Sequence, residues 1–120
     1  MHEISIARSM IRSLEAELDE SQQAALREIV LEVGELACVE PILMHNAWEA
    51  VTLGSSYEKV ILQIEKIRTE VHCSNCNKNF FVHQHRYICP DCDTPSNQIV
   101  KGNELNIRQV KLEETPALDQ

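Results

Sequence analysis

Apolar residues at Ile4, Ala7, Ile11, Leu14 and Leu18 recur at steps of three and four, which traces one face of a helix. The opposite face carries Arg8, Ser9, Arg12, Glu15 and Asp19, and the Asp19-Glu20-Ser21 cluster reads as the helix end or as an irregularity before Ala24 and Leu26. From Ile29 to Leu36 the pattern changes to partial alternation, with Ile29, Leu31 and Val33 on one face and Val30 and Leu36 on the other. That predicts a strand with a covered inner face, in which Gly34 allows close packing or a bulge. A second helix is predicted from Pro41 to about Leu53. Proline suits its first position, Leu43, Met44, Ala47, Trp48, Ala50 and Val51 form its apolar side, and Gly54-Ser55-Ser56 stops it.

Between Tyr57 and Val71 the apolar residues fall at Val60, Leu62 and Ile64, then at Ile67, Thr69 and Val71, so the parity switches inside the run. The last run switches in the same way, from Leu105 and Ile107 to Val110 and Leu112. An extra residue bends a strand, and two matching bends predict antiparallel neighbours with the segment between them inserted as a module. The expected fold is therefore α/β (α+β): a small three-stranded mixed sheet with two helices, plus an inserted zinc-ribbon-like module. Residues 1–70 and 95–114 would form the main domain, 71–94 the module, and 115–120 a disordered tail.

The module holds two C-x-x-C pairs, Cys73 with Cys76 and Cys89 with Cys92, separated by 12 residues. Each pair curls the backbone so that two thiolates point to one centre, and two such knuckles supply the corners of a tetrahedron. Zinc is the expected occupant. Iron suits the same ligands, and Pro90 within the second pair is similar to rubredoxin-like knuckles. A redox pair needs one such motif beside a β-α-β pattern, whereas here two face each other. Asn77 and Asp93 stand where such knuckles commonly carry glycine, and both tolerate a left-handed backbone. Phe80, Phe81, Val82, Tyr87 and Ile88 are the module's apolar content, too little to fold it without metal. A closed four-sulfur site leaves no corner for water, so it does no hydrolytic chemistry. His72, His83 and His85 read as exposed loop residues beside it, and His45 as a surface or cap residue.

The chain has 120 residues and a formal charge of −8, with 19 acidic side chains against 11 lysines and arginines. No basic run exists for a phosphate backbone, which argues against nucleic acid. No apolar run approaches the length that spans a bilayer, and the first residues carry Glu3, Arg8 and Arg12 where a secretory segment would be apolar. With five cysteines, four of them in metal spacing, a reducing cytoplasmic setting is expected. The fifth, Cys38, reads as a small buried hydrophobe.

Met1-His2-Glu3, then Val33-Gly34-Glu35-Leu36 with Val39-Glu40-Pro41, the paired knuckles with Cys89-Pro90-Asp91-Cys92, and Gly102-Asn103-Glu104-Leu105 stand in one order along the chain. Together they resemble the HypA/HybF family of nickel metallochaperones, which serve maturation of nickel-iron hydrogenase. The resemblance implies a nickel-binding α/β domain with a separate structural zinc module at Cys73, Cys76, Cys89 and Cys92. It also implies a GTPase partner, HypB, and the hydrogenase large subunit as recipient, with no enzymatic activity of its own.

The chemistry of the terminus agrees. The Met1 amine, the His2 amide nitrogen and His2 Nδ1 close adjacent five- and six-membered chelate rings, a nitrogen-rich planar set that Ni(II) and Cu(II) favour over zinc. In the family the fourth position involves the Glu3 backbone nitrogen or a nearby acid, and Glu40 matches an acid position before the family's proline. A carboxylate near a helix N-terminus is also an ordinary stabilising charge, worth about 0.3 to 1 kcal/mol. Two other readings of the whole chain are a zinc-ribbon interaction adaptor without labile metal and a rubredoxin-like iron redox module.

Overall fold

The computed structural model describes residues 2–113, so the Met1 amine and the tail 115–120 lie outside the described residues. The chain divides into two compact units. One takes the chain up to Leu31, then Val39–Ile64 and the chain from Ile107. The other takes Glu32–Cys38 and Glu65–Asn106, a wider span than the module expected from the cysteines.

In the first unit, α1 (His2–Glu17) buries Ala7, Met10 and Leu14 against α3 (Pro41–Thr52), while Ile4 and Ile11 flank that stripe half-buried. Each fully buried aliphatic side chain of this kind stabilises by about 1.5 to 3 kcal/mol. The helix stops at Glu17, and Asp19 begins a second one, α2 (Glu20–Ala25). Asp19 Oδ1 accepts the Gln22 N–H at 2.8 Å and Gln22 Oε1 accepts the Asp19 N–H at 2.9 Å, a reciprocal capping box. This helix adds to the two expected. It buries no side chain, so no apolar stripe announced it.

On α3 the buried residues are Met44, Ala47, Trp48 and Thr52. Leu43 and Ala50, expected on that side, are exposed, because the covered arc centres on Met44 and Trp48 and turns both of them outward. The Trp48 indole N–H donates to the Val60 carbonyl at 3.2 Å, and the Tyr57 hydroxyl donates to Gln23 Oε1 at 3.0 Å. Both polar tips are therefore satisfied within a buried setting.

The first sheet has strand order β2-β1-β6, formed by β1 (Leu26–Gly34), β2 (Ile61–Ile67) and β6 (Leu105–Leu112). β1 starts and ends earlier than its alternation suggested, because Leu26 is already buried and Glu35–Ala37 forms a short 3-10 turn. The Glu113 N–H bonds to the Ala25 carbonyl at one end and the Gly34 N–H to the Glu104 carbonyl at the other, so β6 runs antiparallel to β1. The two strands with matching parity switches, β2 and β6, are thus not neighbours as expected. Both are neighbours of β1, which lies between them. The parity switch between Ile64 and Ile67 falls inside β2, and the strand breaks after it at Arg68-Thr69, from which Thr69, Val71 and Cys73 are the buried residues.

The second unit contains a sheet of order β4-β3-β5, antiparallel throughout, from β3 (Glu70–Cys73), β4 (Lys78–Phe81) and β5 (Gln98–Lys101). Val71, Cys73, Phe80 and Cys89 form its core, with Val82 and Tyr87 packed against it. Phe81 and Ile88, counted above toward that core, are exposed, since Phe80 takes the inward position opposite Val71 and Phe81 takes the other face. Gly34 does allow a close approach: a Cβ there would meet the Gly102 carbonyl oxygen at 2.0 Å. Gly102 itself has φ +130°, a backbone that side chains rarely adopt. Beside this crossing the Glu35 carboxylate accepts the buried Thr69 N–H at 2.8 Å. Cys38 is not buried: it closes the 3-10 turn in the left-handed region, φ 58°, which points its side chain out of the core.

Candidate metal centre

The first knuckle is the loop of the β3–β4 hairpin, closed where Cys73 pairs with Lys78. The second lies inside the Ile88–Pro95 bridge, where the Asp93 N–H bonds to the Cys89 carbonyl at 2.8 Å and the Cys89 N–H to the Thr94 carbonyl at 3.0 Å. Asn77 and Asp93, each just past its second cysteine, have φ 57°, which is the left-handed turn the sequence anticipated. Two hairpin turns thus deliver four sulfurs to one point.

All four sulfur atoms lie within 4.8 Å of one another, with Cys73 to Cys92 at 3.6 Å and Cys76 to Cys89 at 3.5 Å. Zinc–sulfur bonds of about 2.3 Å in a tetrahedron require sulfur separations of about 3.8 Å, so the residues fit a tetrahedral ion closely. Without a cation the sulfurs cannot all ionise. The Cys76 thiol is pushed up to about 12, first by its hydrogen bond with Cys89 and then by burial. Cys92 is brought down to about 6, first by Asn75 and then by Thr94, whose Oγ1 lies 3.3 Å from the Cys92 sulfur. A divalent ion reverses this arrangement and holds all four as thiolates. Asn75 and Thr94 were not legible as site residues, because their role depends on two knuckles meeting across 19 residues.

The histidines stay outside the sulfur cluster. His72 Nδ1 lies 2.7 Å from Asn79 Oδ1, and Asn79 in turn donates to Glu70 at 2.9 Å. His83, His85 and His45 are exposed.

The candidate nickel residues lie in the first unit. His2 opens α1 with a side chain 56% exposed, whereas the Glu3 side chain is only 12% exposed. Glu3 Oε1 is 3.8 Å from His2 Nδ1, and Glu3 Oε2 accepts a long hydrogen bond, 3.5 Å, from the Glu40 backbone N–H. The structure therefore brings residue 40 to the start of α1. The carboxyl of Glu3 is held below its ordinary value, first by its own backbone N–H, with burial opposing and the Glu40 N–H and His2 adding. The Glu40 side chain is exposed and caps no helical N–H. Sequence reading assigned Glu3 only a backbone role and missed this bridging carboxylate.

Four cysteine sulfurs closing on one point define a protein with a site suited to a structural metal. Comparison with known proteins narrows that class. A family model described as hydrogenase/urease nickel incorporation, metallochaperone, HypA, matches residues 1–112. The chain is 32% identical over 113 residues to the hydrogenase maturation factor HypA of Azotobacter chroococcum mcd 1, covering 94% of this chain and 100% of that one. It is 34% identical over 113 residues to the protein of the same name from Rhodopseudomonas palustris strain TIE-1, with the same coverage. The solution structure of the Ni metallochaperone HypA from Helicobacter pylori shares the fold, with a TM-score of 0.64 at 23% identity over 94% of this chain and 98% of that one. A second solution structure of a HypA protein gives a TM-score of 0.68 at 25% identity over 93% and 96%. This chain belongs to the HypA family of nickel-incorporation metallochaperones for hydrogenase maturation. Among the described residues no helix is long and apolar enough to cross a membrane.

Proposed function

We infer that the protein binds Ni(II) at its N-terminus and hands it by ligand exchange to the large subunit of a nickel-iron hydrogenase, in concert with a HypB-like GTPase. The observation that carries this reading is the exposed His2 at the first turn of α1, with residues 3 and 40 within hydrogen-bond reach of each other beside it. The first N–H groups of a helix have no intrahelical acceptor, so the His2 and Glu3 amide nitrogens can bind a metal without breaking a helical bond. Met1, His2 and Glu3 supply the donors, and Glu40 is the nearby carboxylate for a further position. Few ligands at an open chain end release metal readily.

The four cysteines hold zinc for the fold and do not exchange it. The protein is a carrier and not an enzyme, and its free thiols suit the cytoplasm. The exposed face of α1, with Arg8, Arg12 and Glu15, is the surface offered to the GTPase. Nickel titration of the native-terminus protein against one extended before Met1 tests the site. Equal affinity in the two would place nickel elsewhere.

A further inference from the structure

A cleft of the cysteine unit reaches the second knuckle, with Cys89, Pro90 and Asp93 in its lining, and carries a group of cationic side chains that the metal centre does not use. At the hairpin tip His83 and Arg86 form an antiparallel bridge, and the two residues between them, Gln84 and His85, have φ 53° and 62°. A turn with two successive left-handed residues normally uses glycine or asparagine, so this one stores strain. Its effect is to set His83 and Arg86 side by side, since directly opposed residues of a bridge share a face. Arg68 extends the row: its Nη2 is 3.4 Å from His83 Nε2, and its guanidinium lies 4.2 Å above the Phe81 ring. The row borders a cleft of about 250 Å³ whose apolar lining includes Phe81, 45% exposed, Ile88, 38% exposed, and Pro90.

Among the described residues no acid pairs with the Arg86 guanidinium, although the chain has 19 acidic side chains against 11 basic ones. The cleft has one acid of its own, Asp93. Arg68 over the Phe81 ring, with His83 and Arg86 lining the same cleft, in a chain of charge −8, makes a local surface complementary to ligands the rest of the protein repels.

We propose that this cleft docks an acidic peptide segment of a partner protein, with a carboxylate on Arg86 and an adjacent large apolar side chain on Phe81, Ile88 and Pro90. Guanidinium groups recognise carboxylates by paired N–H donors, and exposed aromatic surface supplies the apolar half of such an interface.

The test uses the zinc-loaded full chain and fluorescence anisotropy of a labelled peptide of alternating leucine and aspartate, with a leucine–lysine peptide as control. Saturable binding of the acidic peptide alone is expected, weaker at high salt and lowered about tenfold by Arg86→Glu, the scale of one lost charge contact. Phe81→Ser should weaken it while zinc content is unchanged, and Arg8→Glu in the other unit should leave it alone. Equal binding of the two peptides overturns the proposal, as does an Arg86→Glu protein that binds normally. If sedimentation shows a dimer that Arg86→Glu dissolves, the occupant is a second copy and the proposal is wrong. If Arg86→Glu sheds zinc, the cation serves the sulfur centre and the proposal falls as well.

Discussion

The four-cysteine centre and the nickel site proposed at the N-terminus use opposite strategies. At the cysteine centre four identical soft ligands are fixed by two hairpin turns, each with its left-handed residue in place, and the core of the unit is built from two of the ligands themselves, Cys73 and Cys89. At the nickel site proposed for the N-terminus the donors are chemically mixed, with His2 and Glu3 at the first turn of α1 and a long hydrogen bond from the Glu40 N–H to the Glu3 carboxylate. Where ligands are part of the core, losing metal means losing structure; where they precede the core, metal can come and go.

The largest expected effect is therefore at the cysteines. Cys73→Ala or Cys92→Ala should lose zinc and unfold the knuckles while the helices and the β2-β1-β6 sheet persist, because zinc contributes about 10 to 16 kcal/mol in comparable small folds. Zinc stoichiometry and chemical shifts measure it; a variant that keeps both would erase the contrast between the regions. A protein that stays colourless after oxidation in air excludes iron at the same stroke.

His2→Ala should leave fold and zinc intact but abolish tight nickel binding, a loss of at least about a thousandfold, or roughly 4 kcal/mol. Binding should release protons, countable by calorimetry in buffers of different ionisation enthalpy, and mild acid should favour release. Native affinity in His2→Ala would collapse the terminal half of the comparison.

Gly34→Ala places a Cβ at 2.0 Å from the Gly102 carbonyl and should destabilise by about 3 kcal/mol or more, because backbone and not a flexible side chain must move. Denaturant titration reads this, and an unchanged midpoint would mean that the crossing is loose. Smaller still is the Glu35 contact. Its carboxyl is held below the usual value chiefly by the Thr69 N–H, so it stabilises the fold above its unfolded pKa of about 4.3, and that stabilisation is lost as pH falls through the depressed folded value. Glu35→Ala leaves a buried N–H without its acceptor, a cost of about 1 to 3 kcal/mol at neutral pH that should shrink in acid. Equal costs at pH 7 and pH 3 would contradict the assignment. The smallest effect is expected from Arg8→Glu with Arg12→Glu, which should slow association with the GTPase mainly at low salt; kinetics flat across that range would count against α1 as the docking face.

The cysteine centre was legible because its geometry is local: C-x-x-C spacing and a residue tolerant of the left-handed turn are each written within five positions. The approach of Glu40 to the start of α1 was expected only through the family resemblance, since it spans 37 residues and follows from how α1 packs on α3. The short α2 was hidden for another reason. Its Asp19 and Gln22 spell a capping box, yet it contributes nothing to the core, and apolar periodicity sees only helices that do. Strand order failed where matching parity was taken for pairing: β2 and β6 flank β1 on opposite sides and do not pair with each other.

The single tryptophan has a further use. Trp48 is enclosed among the helices with its indole bound to the Val60 carbonyl, and the cysteine unit contains none. Its fluorescence should therefore be blue-shifted and should report the helical unit alone. Stripping zinc with a chelator would leave that emission dark to the event, whereas urea would move it to the red, so one fluorophore can separate the melting of the two halves of the chain.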